Sequence, residues 1–175
     1  MEKSASADPN IWKGAAAGLI AGLVASWTMN QVYGLWSKLQ QDEPQPEQSS
    51  KKGENTDPAT LVMARKISRS LFHREIPDDK IRLAEGLTHY GFGTLMGGVY
   101  GALSEQYPKV RAGFGSAFAT GLFVVADEIS VPAAGLSGKP QAVPFSSHLL
   151  GFTSHMAYGW SLEALRRGAR RLIAA

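Results

Sequence analysis

Four stretches of this chain are apolar and almost free of charge, and polar connections separate them. Gly14 to Ser37 carries no charged residue, and Gly86 to Ser104 reads GLTHYGFGTLMGGVYGALS. Ala112 to Val131 and Val143 to Leu162 have the same character. A helix needs about 20 such residues to cross a bilayer. The pattern predicts transmembrane helices at 11–37, 81–104, 111–131 and 143–166. The third is the weakest, because only about fifteen uncharged residues precede Asp127, short of a full crossing. Residues 1–10 read as a disordered tail and 167–175 as a basic tail. Lys38 to Gly53 is rich in Gln, Glu, Asp, Ser, Pro and Lys and reads as a solvated linker. Thr56 or Asp57 then caps a helix with Pro58 at its first position, over about 57–73. There Leu61, Ala64, Ile67, Ser68, Leu71 and Phe72 share one face, opposite Arg65, Lys66, Arg69 and Arg74. Such a basic amphipathic helix lies either on a membrane surface or on the rest of the protein. The expected fold is therefore all-α: a one-domain, four-transmembrane-helix bundle with an amphipathic helix in its first long loop.

Glycine spacing says how the helices meet. Gly14, Gly18 and Gly22 fall one turn apart, as do Gly93, Gly97 and Gly101. Such small-residue faces let membrane helices approach closely. Gly93 with Tyr100-Gly101 recurs as Gly151 with Tyr158-Gly159, and Gly22 with its apolar successors resembles Gly121. The bundle then consists of two repeated helix pairs in parallel arrangement, with chance similarity of glycine-rich helices as the alternative. Trp12 and Trp36 flank the first span as interfacial anchors would. A secretory signal is the competing reading there, but the run is long for one and no small-x-small cleavage site follows.

Candidate chemistry lies in the third span. Asp127 and Glu128 interrupt the run FATGLFVVADEISVPAAGL, and acids in apolar surroundings are costly unless paired, hydrogen-bonded or protonated. Two crossings out and back bring His89, His148, Asp127 and Glu128 to one level. His155 lies about 10 Å deeper at helical rise. Adjacent acids point about 100° apart, so only one faces the bundle. Glu128, with its longer side chain, is the expected inward one. The cluster could form a proton relay, a hydrogen-bonded plug that fixes helix register, or a hard-to-borderline metal site.

Composition narrows the alternatives. There is no cysteine, which rules out disulfides and thiolate metal sites. The mean hydropathy of −0.12 looks soluble, but polar residues concentrate between Lys38 and Glu85 and at the termini. The net charge of +3 owes much to Arg166, Arg167, Arg170 and Arg171, which follow an apolar segment directly. That placement predicts a membrane-surface anchor, and the absence of aromatic interleaving argues against nucleic acid. Hydrolase elbow, zincin and Walker motifs are missing, so no enzyme is expected. No cofactor is predicted; a haem held by His89 with His148 or His155, or a metal ion, would be the exceptions.

The segments HYGFGTLMGGVYGALSE, YPKVRAGFGSAFATGLFVVADEISVPAAGL and SHLLGFTSHMAYGWSLEALRR resemble the YagU-like family of bacterial inner-membrane proteins, a domain of unknown function. The resemblance covers about Glu85 to Arg171. It implies a multi-pass helical inner-membrane protein and supplies no reaction. Both termini are then expected in the cytoplasm, with the lipid bilayer as partner. Two functional classes follow. One is a membrane protein handling protons or ions through its His/Asp/Glu cluster. The other is an accessory protein whose glycine faces pack in a homo-oligomer or larger membrane complex.

Overall fold

The computed structural model describes residues 10–40, 58–136 and 144–174. The expected tail before Asn10, most of the linker and the Thr56 or Asp57 cap lie outside them. Every regular element among the described residues is helical. Helix α1 spans Ile11–Gln40 and α2 spans Ala59–Ile67, extended by a π-helical turn at Ser68–Phe72. Helix α3 spans Ile81–Gln106. Helix α4 runs Ser116–Ala133, and its middle, Phe123–Ser130, is π-helical. Helix α5 spans Phe145–Ala174 and continues past the expected end at 166, through most of what was expected to be a basic tail.

Helix α1 packs against both α3 and α5; α4 lies on α5 and α2 on α3. Glycine makes the first of these contacts possible. A Cβ on Gly18 would overlap the Gly97 carbonyl oxygen, and one on Gly22 would come within 2.7 Å of the Gly93 oxygen. Gly101 meets Gly14 in the same way. The two glycine faces therefore form one antiparallel backbone contact. A second crossing joins α4 to α5. There a Cβ on Gly115 would overlap the Gly159 carbonyl oxygen, and one on Gly159 would lie 2.6 Å from Ala119 Cβ. Gly115 also has φ of +91°, so it is required twice over.

The crossings give the internal repeat a structural meaning and adjust its register. Gly22 faces Gly93 as Phe123 faces Gly151, whereas Gly121 has open space around it. The paired tyrosines interlock: Tyr100 of α3 donates to Glu163 of α5 at 2.8 Å, and Tyr158 of α5 donates to the Gly93 carbonyl at 2.6 Å.

The interior is built from small residues around these rings. Ala17, Ala21 and Ala25 of α1 are buried, and the last two cluster with Met29, Tyr100, Tyr158 and Leu162. Large apolar side chains point outward instead, among them Ile20, Leu23, Leu95, Val125, Ile129 and Trp160.

Among the described helices, only Ser116–Ala133 is both long and apolar enough to cross a membrane by composition, with mean hydropathy 1.2 over 18 residues. This was the weakest of the four expected spans. The others fall short because their packing faces are glycine and serine and because polar residues such as Asn30, Gln31 and the histidines dilute them. Helix α2 falls within the expected 57–73, and its apolar face is divided. Leu61 and Ala64 are buried, but Ile67, Leu71 and Phe72 are exposed. The widened turn and the left-handed His73 carry that end away from the bundle. Lys66 Nζ donates to the Ala134 carbonyl at 2.6 Å, tying α2 to the end of α4.

Adding a methyl group should read out this packing. Gly121→Ala gains helix propensity in open space and should be neutral or stabilising by up to ~1 kcal/mol. Gly18→Ala gains the same propensity but meets the Gly97 carbonyl, and should lose about 1–3 kcal/mol. Thermal unfolding of the two variants in detergent, compared with the parent, checks the contrast.

Candidate functional site

The run Phe123–Ser130 brings two acids into a helix whose other residues there are mostly apolar. Its π-helical winding inserts an extra residue per turn, a distortion that recurs at functional sites. The two acids leave α4 in different directions, as neighbours on a helix must. Asp127 opens onto a cavity between the helices; Glu128 does not line it. The sequence expectation of Glu128 as the inward acid is therefore reversed.

Helix α5 supplies the reason. His148 and His155 lie on nearly the same face, two turns apart. The longer Glu128 side chain reaches His148 near the start of α5, with Oε1 2.7 Å from Nδ1. The shorter Asp127 lies by the deeper His155, with Oδ2 3.7 Å from Nδ1. His155 is buried, and its Nδ1 donates to the Gly151 carbonyl at 2.9 Å. A carbonyl can only accept, so that bond places a proton on Nδ1.

His89 approaches from α3. Its Nε2 lies 3.4 Å from the Ser26 carbonyl of α1, and its ring sits edge-on to Tyr90. Tyr90 in turn accepts from Asn30 at 3.1 Å. His89, Asp127 and His155 all line the same cavity, of about 900 Å³. Tyr33, Asn30 and Ser26 of α1 line it too, and Pro58 to Thr60 with Met63 of α2 form one wall. The expected single level of four residues is thus two groupings: His89, Asp127 and His155 in the cavity, and Glu128 with His148 beside it. Among the described residues no three His, Asp or Glu side chains are grouped to hold a metal ion.

The arginine cluster holds a second polar centre at the opposite end of the bundle. Arg166 and Arg170 were expected on a membrane surface, yet they are only 4% and 8% exposed. Glu163 is fully buried and accepts from Arg166 Nε at 2.8 Å, Arg167 Nε at 2.7 Å and the Tyr100 hydroxyl. Glu105, at the end of α3, accepts two bonds from Arg170, at 3.0 and 3.2 Å, and one from the Asn10 backbone N–H at 3.0 Å. Arg167 also lies over the Phe114 ring, 4.8 Å from its centroid. Arg171 is exposed. A buried acid and base without each other would be costly, so this network accounts for both. Sequence reading missed it, although two signals existed. Glu105 and Glu163 each follow a repeat glycine, Gly101 and Gly159, by one turn, and Glu163 precedes Arg166 and Arg167 at helical spacing.

These observations define an all-helical bundle with a buried ion network at one end and, toward the other, a mostly apolar cavity that holds an acid and two histidines. The chain belongs to the family described as "Protein of unknown function (DUF1440)", whose profile matches residues 36–164. The match takes in His89 of α3, Asp127 of α4 and His155 of α5, and it begins near the end of α1. No curated protein and no solved structure matches the chain.

Burial works to raise the Glu105 carboxyl, but the Arg170 and Asn10 bonds outweigh it and hold the group below its ordinary 4.5. A carboxyl depressed by folding stabilises the protein fully above the ordinary value, and that contribution is lost as pH falls through the lower, folded value. Thermal stability should therefore decline on acidification below about pH 4.5, the ordinary value. Part of that decline should vanish in Glu105→Gln, which should already be less stable at neutral pH. Melting curves of both proteins across acid pH check it.

Proposed function

We propose that this chain is a multi-pass integral membrane protein that handles protons or ions through a cavity-facing acid, Asp127, assisted by His155 and His89. The observation that carries the reading is the distribution of size and polarity. Small and polar side chains fill the interior, while Leu, Ile, Val, Phe and Trp cover the outside of all four long helices. Water would penalise that arrangement by roughly 25 cal/mol for each Å² of apolar surface left exposed. Hydrocarbon would not.

Two further features support it. Thr28 and Thr153 face outward, yet their hydroxyls donate to carbonyls of their own helix at 3.2 and 2.9 Å. Satisfying a polar group internally suits a surrounding without water. The lengths also suit: 26 to 30 residues in α1, α3 and α5 give about 40–45 Å at helical rise, enough to cross hydrocarbon and reach both interfaces. In this reading α1, α3, α4 and α5 all cross, and glycine and histidine lower the apparent hydropathy of three of them. The ion network of Glu105, Glu163 and the arginines sits at one interface with both chain ends, on the cytoplasmic side. The cavity opens toward the other face. The resemblance to YagU-like inner-membrane proteins points the same way.

The glycine faces are occupied by contacts within the chain. That favours proton or ion handling over an accessory role based on those faces. Acids with histidines inside a membrane bundle are costly, and their usual work is to move protons or ions.

Carbonate-washed membranes should retain the protein in the pellet; its release into the supernatant would end the membrane reading. In purified protein, infrared difference spectra across a pH titration should contain a protonated-carboxyl stretch that Asp127→Asn removes. If the band survives in Asp127→Asn, that carboxyl is not the titrating group.

A further inference from the structure

The cavity is larger than a proton path needs. At about 900 Å³ it falls within the roughly 300–1,000 Å³ of sites that enclose whole organic ligands. Its walls are mostly apolar: Met29, Met63, Phe92 and Leu122 come from four different helices, and Leu136 from the turn after α4. Methionines adapt to irregular shapes, and an aromatic face attracts cations.

Its charged groups are few. Arg82 and Glu85 of α3 offset one another in the lining charge. His89 of α3, His155 of α5 and Tyr33 of α1 are uncharged when the imidazoles and phenol are in their neutral forms. Glu128 turns away to His148. The Asp127 carboxylate is then the one unbalanced charge among the described lining residues. It stands 41% exposed, so it has contact surface to give a ligand. In low dielectric a lone carboxylate attracts a cation strongly and repels an anion.

We propose that this cavity binds an amphipathic organic monocation, its positive centre against Asp127 and its apolar body along the Met29, Met63, Phe92 and Leu122 wall. The inference rests on the proton-handling reading above and adds the class of ligand that shares the acid with the proton. Cation and proton compete for one carboxylate, so binding strengthens as pH rises and Asp127 gives up its proton. The same competition gives a balanced exchange: one cation bound for one proton released, with no covalent change.

Radiolabelled tetraphenylphosphonium is a suitable probe, because it is cationic at every pH and has no proton of its own. Equilibrium dialysis of the purified full chain in detergent, with excess unlabelled probe as the blank, should show saturable binding at mildly alkaline pH. Asp127→Asn should weaken it at least about tenfold, since truncating one partner of a desolvated charge pair commonly costs that much or more. Met63→Trp should also weaken it by filling the apolar wall, with the carboxylate intact. This second variant keeps the test sound if Asp127→Asn melts early. Labelled tetraphenylborate, the same shape with opposite charge, dialysed on its own, should show no saturable binding. The proposal is overturned by non-saturable binding, by equal affinity in parent and Asp127→Asn, or by saturable binding of the borate. If the carboxyl stretch of Asp127 still titrates in that case, only the ligand assignment falls. If the stretch is absent as well, the proton-handling reading falls with it.

Discussion

The contact between α1 and α3 sets the terms for the rest of the structure. Gly14, Gly18 and Gly22 lie against Gly101, Gly97 and Gly93 with no side chain between them. Helices that close exclude bulky residues from their shared face. Alanines continue the pattern on α1, at Ala17, Ala21 and Ala25. Many large apolar residues are displaced to the outer surface, and the two largest fully buried side chains, Tyr100 and Tyr158, have hydroxyls that need partners. Each finds one on the other repeat helix, so one packing constraint also fixes the register of α3 against α5.

The two ends of the bundle solve the problem of buried charge differently. At the end with Asn10 and Ala174, acids and arginines are matched, and the hydrogen bonds are short and largely bidentate. Such a network fixes structure and has little freedom to change protonation. At the other end Glu128 holds His148 tightly, at 2.7 Å, but the cavity acid is paired loosely. Asp127 stands 3.7 Å from His155, beyond hydrogen-bond length, and His89 bonds only a carbonyl at 3.4 Å. Groups held this loosely, around a space of about 900 Å³, can exchange partners.

Much of this was legible in the sequence, for reasons that can be named. Glycines one turn apart can serve few purposes other than close approach, so Gly14, Gly18, Gly22, Gly93, Gly97 and Gly101 marked a helix contact. The divergence of Asp127 from Glu128 followed from helical geometry alone. Which acid turned inward did not, because it depends on how α4 is rotated on α5. The π-helical winding of Phe123–Ser130 has no marker in residue type. The arginine cluster misled for a different reason. A basic run after an apolar segment looks like a surface anchor until Glu105, far away in sequence, arrives beside Arg170. The left-handed turn at Gly113, Phe114 and Gly115 was equally invisible, since Phe114 gives no sign that its φ is +58°.

The central claim is that the outer surface faces hydrocarbon while the Asp127 cavity is wet. The chain has no cysteine, so single cysteines can be introduced without removing any. Spin labels at Leu23, Leu95, Val125 and Trp160 on the outside, and at Thr60 on the cavity wall, can be compared in reconstituted bilayers by collision with oxygen and with a water-soluble nickel chelate. The account predicts that the outer positions favour oxygen, which concentrates in lipid, and that Thr60 favours the chelate. Outer labels as open to the chelate as Thr60 would contradict it and return the protein to an aqueous setting.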